Sequence, residues 1–172
     1  MDSFMEYMIA EKQTAKTVFK KIGIYFAALI ITFISFIVMM MFPSALIGMM
    51  PMVIVLIFYI AYRINTSFDV EYEYILTNGE LDVDKITNKK RRKRLMTIHC
   101  KSFTAFAKVG DEEFLSEENG EFARVIDASA KSSSIEDYYA VFYKNGQKIK
   151  LIFNPTQKMI DSFRMYAPRV VK

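Results

Sequence analysis

A chain of 172 residues with 52% hydrophobic side chains and a formal charge of only +4 holds one small domain beside any membrane segment, and not two. Its single cysteine, Cys100, excludes an internal disulfide and any Cys-x-x-Cys metal or redox motif, and fits a reducing compartment. Charge is unevenly placed: residues 89–94 are six successive bases, whereas 111–121 hold six acids and no base.

In chain order, residues 1–21 read as an N-terminal amphipathic cytoplasmic segment, with a helix over 2–21 lying on the membrane surface. Phe4, Met8, Ala15, Val18 and Phe19 can share one side, with Glu11, Lys12, Lys16 and Lys20 towards the other. Residues 22–62 then carry no charged side chain. A hydrocarbon core of ~30 Å takes about 20 helical residues at ~1.5 Å each, so this run predicts two crossings, 22–42 and 44–62, divided at Pro43 and Ser44. A cleavable signal peptide does not fit, because the run exceeds a signal core of ~7–15 residues and leads straight into a second span. Lys12, Lys16, Lys20 and Lys21 precede the run and Arg63 follows it, while the connecting turn is uncharged. The positive-inside rule therefore predicts a multi-pass protein with both termini in the cytoplasm. Ser44 and Gly48, small residues four apart, mark where a neighbouring helix can approach closely. Met39, Met40, Met41, Met49, Met50 and Met52 offer soft thioethers, but no cysteine or histidine accompanies them, and they read as apolar filler.

From Ser67 the period changes to two. Phe68, Val70, Tyr72, Tyr74 and Leu76 alternate with Asp69, Glu71 and Glu73, which predicts a strand. Asn78-Gly79 is the dipeptide of a type I′ hairpin, so Thr77 should face Glu80, Leu76 face Leu81 and Tyr74 face Val83. The same register sets Glu73 against Asp84, a like-charge pair that needs solvent or a nearby base, and the basic run supplies candidates. Residues 95–98 and 103–109 are two further strands, followed by the acidic loop and a weaker strand at 122–126. Strands at 138–143 and 148–153 flank Asn145-Gly146, with Phe142 facing Ile149 and Ala140 facing Leu151. A closing helix at 155–167 has Asn154 as its expected N-cap, Pro155 at its first position and a stripe of Met159, Ile160, Phe163 and Tyr166.

Residues 63–172 are thus expected to form one cytoplasmic α+β domain, whose strands followed by a single helix are the element order of a PH-like β-barrel. Glu73-Tyr74-Ile75-Leu76-Thr77-Asn78-Gly79-Glu80-Leu81, a basic stretch, then Arg94-Leu95-Met96-Thr97-Ile98, resemble the bacterial membrane proteins that carry a PH-like domain. The whole layout is similar to a small family of uncharacterised clostridial membrane proteins with two transmembrane helices. This resemblance implies a PH-like fold in a bacterial cell membrane and brings no catalytic residues with it. The long acidic loop departs from the better-known PH-like pattern.

Catalysis is not expected. His99 adjoins Cys100 on a strand, where neighbours point to opposite faces, and no nucleophile-elbow or phosphate-loop motif occurs. No cofactor or metal is expected, since Asp111, Glu112, Glu113, Glu117 and Glu118 lack the alternating ligands of a calcium loop. The functional reading rests on Lys89, Lys90, Arg91, Arg92, Lys93 and Arg94, for which anionic lipid offers ~1 kcal/mol per charge; the bland alternative is a solvated loop paired with the domain's own acids. Nucleic acid is not an expected partner, because no aromatics interleave the bases. The chain reads as a non-enzymatic membrane protein whose PH-like module binds anionic inner-leaflet lipid or a protein partner. The rival is an accessory or regulatory subunit of a membrane transporter or other complex, packed through Ser44 and Gly48. Homo-oligomerisation is not legible in the sequence.

Overall fold

The computed structural model describes residues 4–41, 48–112 and 118–171. The chain divides into two compact units, one of Met1–Lys12 with Val70–Lys172 and one of Gln13–Asp69. A helical unit is therefore inserted between the first and second strands of a β unit, instead of preceding a domain at 63–172.

The helical unit contains α1 (Ala15–Met40) and α2 (Met50–Thr66). The first is long and apolar enough to cross a membrane, and the second is a shorter apolar helix of 17 residues. Where a second span was expected at 44–62, the described residues hold a helix that starts at Met50 and falls short of the length of a candidate span; Pro51 lacks the N–H that a helix interior requires and is tolerated only in the first turn. Residues 42–44, with the expected Pro43-Ser44 division, lie outside the described residues. Gly48 is exposed in the turn ahead of α2. Among the described residues of this unit, the buried small ones are Ala28 and Ala61, which line a cavity of about 330 Å³ with Ile24, Ile31, Ile57 and Ile64; Ser44 lies outside the described residues. Near the start of α1, Lys21 Nζ meets Asp69 Oδ1 at 2.7 Å, Asn65 Nδ2 donates to the Lys21 carbonyl at 3.2 Å, and Gln13 Nε2 donates to Asp69 at 2.6 Å. These contacts bring the two ends of the unit together.

In the β unit, β1 (Phe4–Ala10), β2 (Val70–Thr77), β3 (Glu80–Thr87) and β4 (Arg91–His99) form an antiparallel sheet in that order. The expected N-terminal amphipathic helix is thus corrected over 4–10. Met5, Tyr7 and Ile9 alternate toward the core, and the segment gains a partner strand in the register Phe4↔Thr77 through Ala10↔Glu71. Long-range pairing outweighs the weak local preference. The β2–β3 hairpin turns at Asn78 (φ 51°) and Gly79 (φ 85°), with Thr77↔Glu80, Leu76↔Leu81 and Tyr74↔Val83 opposite as expected. The basic run is not a loop: its last four residues open β4.

A 3₁₀ turn at Cys100–Ser102 leads to the second sheet, whose order is β5 (Phe103–Lys108), β7 (Tyr138–Lys144), β8 (Gln147–Phe153) and β6 (Arg124–Asp127), with β6 parallel to β8. Phe142↔Ile149 and Ala140↔Leu151 pair as expected. The described strands make two four-stranded sheets and not one closed barrel. Closure would need continuous pairing around all eight strands, and the turn at 100–102 breaks the run between β4 and β5.

The α3 helix (Gln157–Tyr166) packs Met159, Ile160 and Phe163 into a core with Tyr74, Leu81, Phe142 and Phe153. Its N-cap is Thr156, whose hydroxyl accepts from Met159 N at 3.4 Å, and not Asn154. Asn154, two residues before that cap, is buried, accepting from Ala130 N (2.7 Å) and donating to Glu136 O (2.7 Å) and Asp137 Oδ1 (2.6 Å). Its amide is used to hold the 128–137 connection, because a buried carboxamide must satisfy all its polar groups.

Candidate functional site

The β3–β4 hairpin carries the whole basic run. Asn88 (φ 53°) and Lys89 (φ 51°) take the left-handed conformation at its turn, and strand alternation then sorts the remaining bases. Arg91, Arg92, Lys93 and Arg94 stand opposite Thr87, Ile86, Lys85 and Asp84. A register shift between Val83 and Asp84 sets Arg94, and not Leu95, against Asp84.

Arg92 and Arg94 lie on the outer face with Glu73 and Asp84, which are opposite one another as the hairpin register requires. Arg92 Nη2 meets Glu73 Oε1 at 2.8 Å. Arg94 grips Asp84 with Nε (2.6 Å) and Nη2 (3.2 Å) and reaches Asp82 with Nη1 (2.6 Å). The base that the like-charge pair needs is therefore supplied by this run. Both carboxylates are buried beneath guanidinium groups that are themselves about half exposed. Burial raises the Glu73 pKa, with Glu6 and Asp84 adding to the rise and Arg92 opposing it. Glu73 Oε2 is buried with no hydrogen-bonding partner among the described residues.

The opposite face differs. One row across the sheet reads Ile9, Tyr72, Lys85, Lys93, the first two in the core and the last two cationic and directly opposite. The next row reads Val70, Thr87, Arg91. Among the described residues, Lys85, Lys89, Lys90, Arg91 and Lys93 make no ion pair. The nearby acid Glu11 is held by Lys131 at 2.7 Å. This cationic end of the sheet is the end at which β1 finishes and β2 begins, since Ala10 faces Glu71 and Val70 faces Thr87. Lys85 lies outside the contiguous basic run, although the register set by Asn78-Gly79 places it opposite Tyr72.

Cys100 is buried, and burial pushes its thiol up to about 12, so it stays protonated and unreactive. His99 Nδ1 accepts from Lys101 N at 3.2 Å and its ring meets Tyr166 edge-on. Glu113 and Glu117 lie outside the described residues. Glu118 of the same acidic segment serves Lys150, at 3.7 Å, and Gly110 N, at 2.8 Å, and none of the bases at 89–94. Among the described residues no cluster of three His, Cys, Asp or Glu could hold a metal.

A family model described as Bacterial PH-like domain (DUF6106) matches residues 1–172. No curated protein and no solved structure matches the chain.

Proposed function

The chain belongs to the bacterial PH-like domain family, and from that premise we propose that it is a non-enzymatic, membrane-tethered interaction module whose basic hairpin meets the anionic cytoplasmic leaflet. The observation that carries this reading is the cluster of cations, without an ion pair among the described residues, at the end of the sheet at which β1 finishes and β2 begins. Juxtamembrane bases gain ~1 kcal/mol each from anionic lipid.

Topology supports the tether. Because β1 pairs with β2 along its whole length, the segment between them starts and ends on one side of any bilayer, and a crossing by α1 obliges a return. The 17 residues of α2 span about 25 Å at ~1.5 Å each, which a ~30 Å core accommodates by local thinning and snorkelling flanks. Lys16, Lys20 and Lys21 at the start of α1 and Arg63 at the end of α2 favour the cytoplasm for both ends.

The test uses the full chain in phosphatidylcholine nanodiscs with and without phosphatidylglycerol. Amide hydrogen exchange over 85–93 should slow with the anionic lipid, and high salt should reverse the effect. Equal exchange in both lipids would overturn the reading. A stoichiometric membrane protein co-purifying in mild detergent would favour the accessory-subunit reading instead.

A further inference from the structure

Resting on the leaflet-contact reading, we infer that the headgroup-binding surface is not the contiguous run 89–94 but a split cluster of Lys85 on β3, Lys93 and Arg91 on β4, and the turn residues Lys89 and Lys90, with Arg92 and Arg94 excluded. The ligand is the phosphate of anionic lipid in a bilayer.

Lys85 and Lys93 stand directly opposite each other, an arrangement that is unfavourable in a sheet unless an anion lies between or above them. No acid occupies their row, which continues into buried Tyr72 and Ile9. A local rule broken without an internal partner marks a surface adapted to something outside the chain. Arg91 follows on the next row and the two turn lysines are exposed beside it.

Arg92 and Arg94 are committed elsewhere. Three nitrogens of Arg94 are used on Asp82 and Asp84, and Arg92 covers Glu73. Drawing either toward a phosphate would strand a buried carboxylate. The face they occupy also bears Glu6, Glu71, Glu73, Asp82 and Asp84, so acids outnumber bases there and that face repels an anionic leaflet. Sheet polarity thus directs the cationic cluster toward the bilayer and the acidic face away from it. Exposed aromatics suited to base stacking are missing from these cationic rows, which favours headgroup phosphate over nucleic acid.

Two paired variants of the full chain separate the contributions. Lys85→Gln with Lys93→Gln should lose about tenfold to a hundredfold of the phosphatidylglycerol-dependent protection over 85–93, and its Tm in phosphatidylcholine should rise as the opposed charges vanish. Glu73→Gln with Arg92→Gln removes one charge of each sign without stranding a carboxylate, and should retain protection within about twofold. Loss in the second pair with retention in the first would overturn the split cluster while leaving leaflet contact intact. A fall in Tm for the first pair would assign those lysines a structural role and overturn it too. Inorganic phosphate protecting 85–93 equally well in phosphatidylcholine would overturn the bilayer as the source. Absence of lipid-dependent protection in the native chain would remove the underlying reading itself.

Discussion

The β2–β3 and β7–β8 hairpins share an Asn-Gly turn with two positive φ values and differ in almost everything their turns touch. A Cβ added to Gly79 would lie 2.7 Å from the Tyr166 ring, whereas one added to Gly146 meets nothing within 4 Å. The first buried pair after the turn is Leu76–Leu81 in one hairpin; in the other, Tyr143 and Lys148 intervene before Phe142–Ile149. Each hairpin also buries a charge on its outer face. Glu73 is covered by a guanidinium from the next strand, while Lys150 sits under the rings of Phe122 and Tyr139 and donates to the Glu118 carbonyl at 2.9 Å. An identical turn therefore sets register in both, and the surroundings decide which face is buried and what a substitution costs.

The largest test of that contrast is Gly79→Ala against Gly146→Ala. The first combines a left-handed backbone with overlap on Tyr166 and should lose about 3 kcal/mol in urea unfolding, the second about 1. Equal losses would place the cost in the turn alone. Next, Asp84→Ala should cost about 2 kcal/mol, a value reduced from the fully buried case because Arg94 is half exposed and keeps Asp82. Phe122→Ala, which uncovers Lys150, should cost about 1 kcal/mol. The smallest effect is in pH. The Glu73 pKa is raised above its ordinary 4.5 in the folded chain, so its contribution to stability is full below that value and is lost as pH rises through the native pKa. Glu73→Gln should flatten this slope, and an unchanged pH–stability profile would show that Glu73 is not its source.

Much of this was legible along the chain. Both hairpin registers follow from Asn-Gly flanked by alternating side chains, and the need of Glu73 and Asp84 for a base follows from that register. The identity of the base does not. Without the bulge at Val83/Asp84, Leu95 would face Asp84 and the sorting of the basic run would invert. Residues 4–10 fit both a helical face and a strand, and their partner, β2, lies beyond the whole helical unit. Asn154 shows the same limit: a good N-cap by type, it is buried two residues before the actual cap and used to hold another connection.

The long apolar run, the two tight turns and the closing helix are encoded locally, because periodicity, charge and left-handed dipeptides act between near neighbours. Long-range contacts settle that the helices interrupt a sheet, that the eight described strands form two sheets, and that six successive bases divide between internal carboxylates and an open surface. Those outcomes depend on which distant strand satisfies each edge and which buried charge finds a partner, and no local pattern encodes that choice.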